Sequence, residues 1–222
     1  MICRIVLVIC LALGVAAPVS VTVFAPVSAR AQQALPPIAP AFDRAALARI
    51  QTYLNSIVTL SAKFVQTTSQ GSFAEGELSL VRPGRMKIAY APPTPIEIYA
   101  DGVWITFVDH ELKEVNRAPL SSTPAEVLLR DRIDFGDRIA VSGLVERDRS
   151  WRLHLKEEND GETGTLTLVF DREPLRLAGW SVVDPQRVRT TVRLTSPVFN
   201  AEVDLKSLVY DPPPWARTLE TE

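Results

Sequence analysis

The chain has 222 residues, with 24 Lys and Arg against 26 Asp and Glu, 46% apolar residues and 23% charged ones. That balance is ordinary for a globular protein, excludes a disordered polar chain, and supplies no overall positive charge to attract nucleic acid. Both cysteines, Cys3 and Cys10, fall in the first ten residues, so no disulfide framework and no cysteine nucleophile is available further on.

Arg4 precedes an apolar run from Ile5 to Leu13, and the small-residue triplet Ala29-Arg30-Ala31 follows later. This order is that of a secretory signal peptide spanning residues 1–31. A permanent anchor is the competing reading, since apolar residues continue to Val27, but Pro18, Ser20, Thr22 and Pro26 interrupt the run. Cleavage after Ala31 removes Arg4 and Arg30 and no acid, leaving 22 bases against 26 acids, a formal charge of −4. Residues 32–41, with Pro36, Pro37 and Pro40, read as an extended linker ahead of one domain over 42–212, and 213–222 as a loosely held tail.

Within the domain, Phe42, Ala45, Ala46, Arg49, Ile50, Tyr53, Leu54 and Ile57 recur on one helical face, which predicts a helix over 43–56. After Leu60 the period becomes two, through Phe64, Phe73, Leu78, Leu80, Met86, Ile88 and Tyr90, and predicts strands. The segments 82–85, 91–95 and Asp101-Gly102 mark turns between them, and Asp109-His110 marks a further hairpin. Thr123-Pro124-Ala125-Glu126 has the form of a capped helix start before Val127, Leu128 and Leu129. Strand patterns resume over 139–146, 151–157, 165–170, 175–183, 188–195 and 203–210. The fold class is mainly β with short helices. A sheet curled on itself, with amphipathic helices across its mouth, buries both kinds of apolar face.

Few groups point to chemistry. His110 and His154 lie far apart, in a turn and in a strand, outside any catalytic or metal-ligand spacing. Gly84, Gly102 and Gly161 stand singly at turns and build no phosphate loop. The sequence therefore predicts no enzyme, metal or cofactor, and an apolar interior whose residues either pack on one another or line a binding cavity.

Phe64-Val65-Gln66, the run from Gly76 through Arg82-Pro83-Gly84-Arg85 to Tyr90, Pro95, Asp101-Gly102 and Thr123-Pro124-Ala125 together resemble the periplasmic outer-membrane lipoprotein carriers, the LolA family. The resemblance implies an incomplete antiparallel β-barrel covered by a helical lid, a monomer that receives lipoprotein acyl chains in an apolar cavity. The partners it implies are acylated lipoproteins, an inner-membrane lipoprotein-releasing ABC transporter, and an outer-membrane acceptor or the outer membrane itself. It also implies a periplasmic location. Arg82 maps onto the family's lid latch; the plainer reading is a strand-end arginine paired with an acid. Leu78, Leu80, Met86, Ile88 and Tyr90 become the cavity wall, and Leu47, Ile50, Leu54, Leu128 and Leu129 the apolar face of the lid. Met86, Ile88 and Thr106 stand where the family pattern is usually aromatic, which predicts a less aromatic lining. A binding or sensor module for another lipid or acylated envelope component is the alternative of the same fold, and an envelope lipid-modifying enzyme the alternative of another class.

Overall fold

A computed structural model describes residues 43–136, 139–157 and 165–217. The signal peptide, the linker and the last five residues of the tail lie outside the described residues. Helix α1 (Arg44–Ser56) begins where predicted. The Asp43 carboxylate accepts from the amides of Ala45 and Ala46 at 2.8 and 3.3 Å, satisfying donors that the first turn leaves open.

Six strands follow: β1 (Thr59–Thr68), β2 (Phe73–Val81), β3 (Arg85–Tyr90), β4 (Ile96–Asp101), β5 (Trp104–Asp109) and β6 (Glu114–Pro119). After the short helix α2 (Ala125–Leu129) come β7 (Ile139–Arg147), β8 (Ser150–Glu157), β9 (Thr165–Arg172), β10 (Leu175–Val183) and β11 (Arg189–Phe199). All pair antiparallel in one 11-stranded sheet, ordered β6-β5-β4-β3-β2-β1-β11-β10-β9-β8-β7. The architecture is thus mainly β with short helices, and the sheet is open, with β6 and β7 as its edges. Among the described residues, no helix is long and apolar enough to cross a membrane.

One face carries α1 and α2. Leu60 and Phe64 of β1, Leu78 and Leu80 of β2, and Leu153, Leu155, Leu166, Leu168 and Phe170 of β8 and β9 are all buried there with Ile50 and Leu54 of α1. The period-two pattern is the cause, because alternate residues of a strand share a face.

Three expectations change. Residues 203–210 form no strand: Asp204 accepts from the Lys206 amide at 3.0 Å and starts a 3₁₀ turn, Leu205–Leu208. Both edges of β11 are already occupied, by β1 and β10, so no neighbouring place in the ladder remains for it. The segment instead crosses the sheet face opposite the helices, where the Tyr210 ring lies 5.6 Å from that of Tyr99 and Leu208 is buried. The tail is not loose from its start, since Pro214–Arg217 forms helix α3 with Ala216 buried and the Trp215 ring edge-on to His110 at 6.1 Å. Finally, Thr123 does not cap α2. Its hydroxyl donates back to the Leu120 carbonyl at 2.9 Å, and Pro124 stands at the N-cap with no side-chain acceptor.

Candidate functional site

Both helices end on a single turn. Arg82 leaves β2 on the helix-covered face, buried, and its Nη1 donates to the carbonyls of Leu54 and Ile57 at 2.5 and 3.0 Å, closing the C-terminal end of α1. Its Nε donates to the Arg130 carbonyl at 2.7 Å, at the C-cap of α2. A cation belongs here, because the last carbonyls of a helix lack intrahelical donors and carry partial negative charge. The planar guanidinium reaches three of them at once, which a lysine could not do with fixed geometry. Burial pushes the Arg82 guanidinium below its ordinary value, and the charge of Asp131 opposes that shift. Its Nη2 is buried, with no hydrogen-bond partner among the described residues. Among the described residues, Arg82 therefore bonds helix carbonyls and takes part in no ion pair, unlike the plainer reading of a strand-end arginine.

The backbone of the same turn reinforces the junction. The Gly84 amide donates to the Leu129 carbonyl at 2.8 Å, and the Arg82 amide to that of Val58 at 2.8 Å. Gly84 has φ +80°, and a Cβ there would lie 2.5 Å from the Gly102 Cα, so the Asp101-Gly102 turn packs on the Arg82-Pro83-Gly84 turn only because Gly84 lacks a side chain.

From this junction the wall residues run outward. Leu80, Met86, Ala100 and Ile105 form one cross-strand row, all at most 6% exposed. The next row is Leu78, Ile88, Ile98 and Phe107, and burial declines along it. Leu78 is 2% exposed, Ile88 and Ile98 are half-buried, and Phe107 is 37% exposed. Tyr90 is half-buried beyond them, its ring edge-on to Phe64 at 5.3 Å and its hydroxyl bonded to Gln66 Oε1 at 2.9 Å; burial raises its pKa, opposed by that hydrogen bond. All five predicted wall residues thus share the helix-covered face, and Ile88, Tyr90, Ile98 and Phe107 form an apolar surface that the helices leave incompletely covered.

Of the predicted lid residues, Ile50, Leu54 and Leu129 are buried, and Leu47 and Leu128 are half-buried against the same core. Helix α1 lies over the β8–β11 half of the sheet, where the Tyr53 ring meets Phe170 and Phe199 edge-on and its hydroxyl accepts from the Leu177 amide at 2.9 Å. Asn55 bonds both backbone groups of Ile133 at 2.8 Å, and Gln51 accepts from the Phe135 amide at 3.0 Å. These bonds fasten α1 to the segment after α2.

Thr106 needs correction as a lining position. It pairs with Tyr99 and Arg117 on the opposite face and is 3% exposed there, so it takes no aromatic group away from the lining. The aromatic residue of β5 that does face inward is Phe107, across from Ile98, and the sequence reading missed it. Alternation counted from Met86 through the β3–β4 and β4–β5 registers places it.

Residues 55–208 match the family described as outer membrane lipoprotein carrier protein LolA. The chain is 34% identical over 145 residues to the outer-membrane lipoprotein carrier protein of Chromobacterium violaceum, covering 62% of this chain and 69% of that one. It is 28% identical over 191 residues to that of Pseudomonas aeruginosa, covering 80% and 88%. A protein of Rickettsia prowazekii with no assigned role is 24% identical over 119 residues, 52% of this chain and just over half, 56%, of its own length. Among solved structures, a LolA superfamily protein of Nitrosomonas europaea superposes with a TM-score of 0.46 at 9% identity, over 73% of this chain and 97% of that one. By the extent of the first of these matches, the chain belongs to the LolA family of outer membrane lipoprotein carriers.

Proposed function

We propose that the protein is a periplasmic carrier that holds lipoprotein acyl chains against the helix-covered face and moves lipoproteins from the inner to the outer membrane. The observation that carries this reading is the apolar surface of Ile88, Tyr90, Ile98 and Phe107, continuous with the buried row at the helix junction but only partly covered. An acyl chain laid there exchanges water-exposed methylenes for aliphatic and aromatic contacts, about 0.8 kcal/mol for each methylene buried. No bond is made or broken, and the family is one of carriers.

Arg82 is the latch in this reading. Three of its bonds end on helix carbonyls, so helix displacement by an entering chain must break them, and their re-formation favours release. An inner-membrane lipoprotein-releasing ABC transporter donates the cargo, and an outer-membrane acceptor or the membrane itself receives it. The test is native mass spectrometry of the protein recovered from the periplasm of lipoprotein-replete cells. Bound acylated lipoprotein is the expected result, lost in Phe107→Asp and Ile98→Asp without loss of fold. Arg82→Leu should load and then fail to transfer. A wild-type protein that stays empty under these conditions overturns the carrier.

A further inference from the structure

The sheet face turned away from the helices is not alike in its two halves. Over β3–β5 residues 205–217 cover it, whereas over β8–β11 Arg152, Arg189, Thr191 and Arg193 are exposed above half-buried His154, Thr167, Val169 and Ser181. The ladder register puts Arg152, Val169, Gly179 and Arg193 in one row on that face, three strand spacings or about 14 Å from end to end. The next row is His154, Thr167, Ser181 and Thr191, and the one after it holds Val183 and Arg189. Lys156 shares the face by alternation with Arg152 and His154.

Charge on this surface is one-sided. Among the described residues, Arg152, Lys156, Arg189 and Arg193 take part in no ion pair, and Asp171 is taken up by Arg176 at 3.4 Å. His154 reports the resulting field, because after burial the charges of Arg152 and Arg189 are what press its pKa down. The whole chain is net acidic, so the composition, which suggested no phosphate-binding surface, conceals a segregation of cations that only the register brings together.

We propose that this basic face of β8–β11 docks on an anionic phospholipid surface. A broad sheet presenting spaced arginines and threonine hydroxyls suits a plane of phosphate headgroups, to which each basic side chain contributes about a fivefold gain in binding. Among the described residues, the face presents no Phe, Tyr or Trp platform of the kind that stacks nucleic-acid bases. The docking is separate from the cargo site, on the other side of the sheet, so an empty helix-covered face leaves it standing.

The test is co-sedimentation of the full protein with vesicles of phosphatidylcholine alone or mixed with phosphatidylglycerol. Lys156 leads into the acidic run from Glu157 to Glu162, so the variant of choice is Arg152→Thr with Arg193→Thr, both exposed strand positions suited to threonine. Wild type should bind only the mixed vesicles, less at high salt, and the double variant should lose more than about tenfold. Arg44→Thr with Arg132→Thr, exposed cations elsewhere, should bind as wild type, and circular dichroism should report the same fold for all three. Equal binding to neutral vesicles, no binding to anionic ones, or equal losses in the two double variants overturns the proposal. The second of these results would fit an acidic protein surface as the partner.

Discussion

Two cross-strand rows on the helix-covered face have the same chemistry and different fates. In the row Leu144, Leu153, Leu168, Trp180, Val192, the two central leucines are completely buried beneath α1. In the row Leu78, Ile88, Ile98, Phe107, burial runs out toward the β6 edge. The strands that carry both rows alternate apolar with polar residues in the same way, so pattern does not separate core from the proposed binding surface. The helix decides, and α1 is committed to one half of the sheet by Tyr53, Asn55 and Gln51. The largest expected effect follows directly. Phe170→Ala, at a 0% exposed position against Tyr53, should cost about 3–5 kcal/mol and lower the midpoint of thermal unfolding by roughly 10 °C. Phe107→Ala should cost less than about 1 kcal/mol while emptying the proposed cargo site. Equal losses of stability would break the comparison.

The junction at Arg82 is where the two halves meet, and the next largest effect belongs to it. Arg82→Leu leaves three helix-end carbonyls without their donor and removes a buried charge with one unsatisfied nitrogen, so the two contributions partly offset. A loss of about 1–3 kcal/mol in denaturant unfolding is expected. Arg82→Lys should recover only part of it, because an ammonium cannot bridge the ends of both helices with fixed geometry. A smaller effect tests the commitment of α1. Tyr53→Phe removes the acceptor of the Leu177 amide and should cost about 1 kcal/mol. If the variant also exposes Leu153 and Leu168 to hydrogen exchange, the hydroxyl holds the helix on its half of the sheet.

Much of this was legible in the sequence. The period-two runs and their turns place ten of the eleven strands to within a few residues, and the remaining strand, β4, lies between two recognised turns. The helix-facing set from Leu78 to Tyr90 follows from alternation alone. What could not be read was which half of that face the helices cover, because it depends on hydrogen bonds such as Asn55 to Ile133, 78 residues apart. The C-terminal segment misled for a related reason. Val203 to Tyr210 carries a strand pattern, yet the edges it would need are filled, and Leu208 and Tyr210 pack on the opposite face instead. Thr106 was misplaced because its face depends on the register of a hairpin, and a slip of one residue exchanges inside for outside.

The smallest expected effect lies under that C-terminal segment, and it separates the two faces of the β3–β5 half. Glu97 sits between Lys87 Nζ and His110 Nε2, each at 3.0 Å, and His110 in turn meets the Trp215 ring. Burial pushes the Glu97 carboxyl up, but the bonds from Lys87 and His110 outweigh it and hold the pKa below the ordinary glutamate value. A depressed carboxylate contributes stability that is fully present above its unfolded pKa and is lost as pH falls through the folded one. The increment should therefore disappear below about pH 4.5. Lys87 has the opposite sense. Although burial lowers its pKa, bonds to Tyr99 and Glu97 raise it overall, so its share persists at neutral pH and is lost only as pH rises through the folded value, above that of an ordinary lysine. With both side chains just over a quarter exposed, the pair contributes no more than about 0.5 kcal/mol. In Glu97→Gln, the acid limb of stability against pH should flatten by that amount, and Trp215 fluorescence should report a loosened segment at neutral pH. Cargo binding at Ile98 and Phe107 should not change, because the substitution acts on the other face of the same strands. A cargo loss in Glu97→Gln would mean that the two faces of this half are coupled through the sheet.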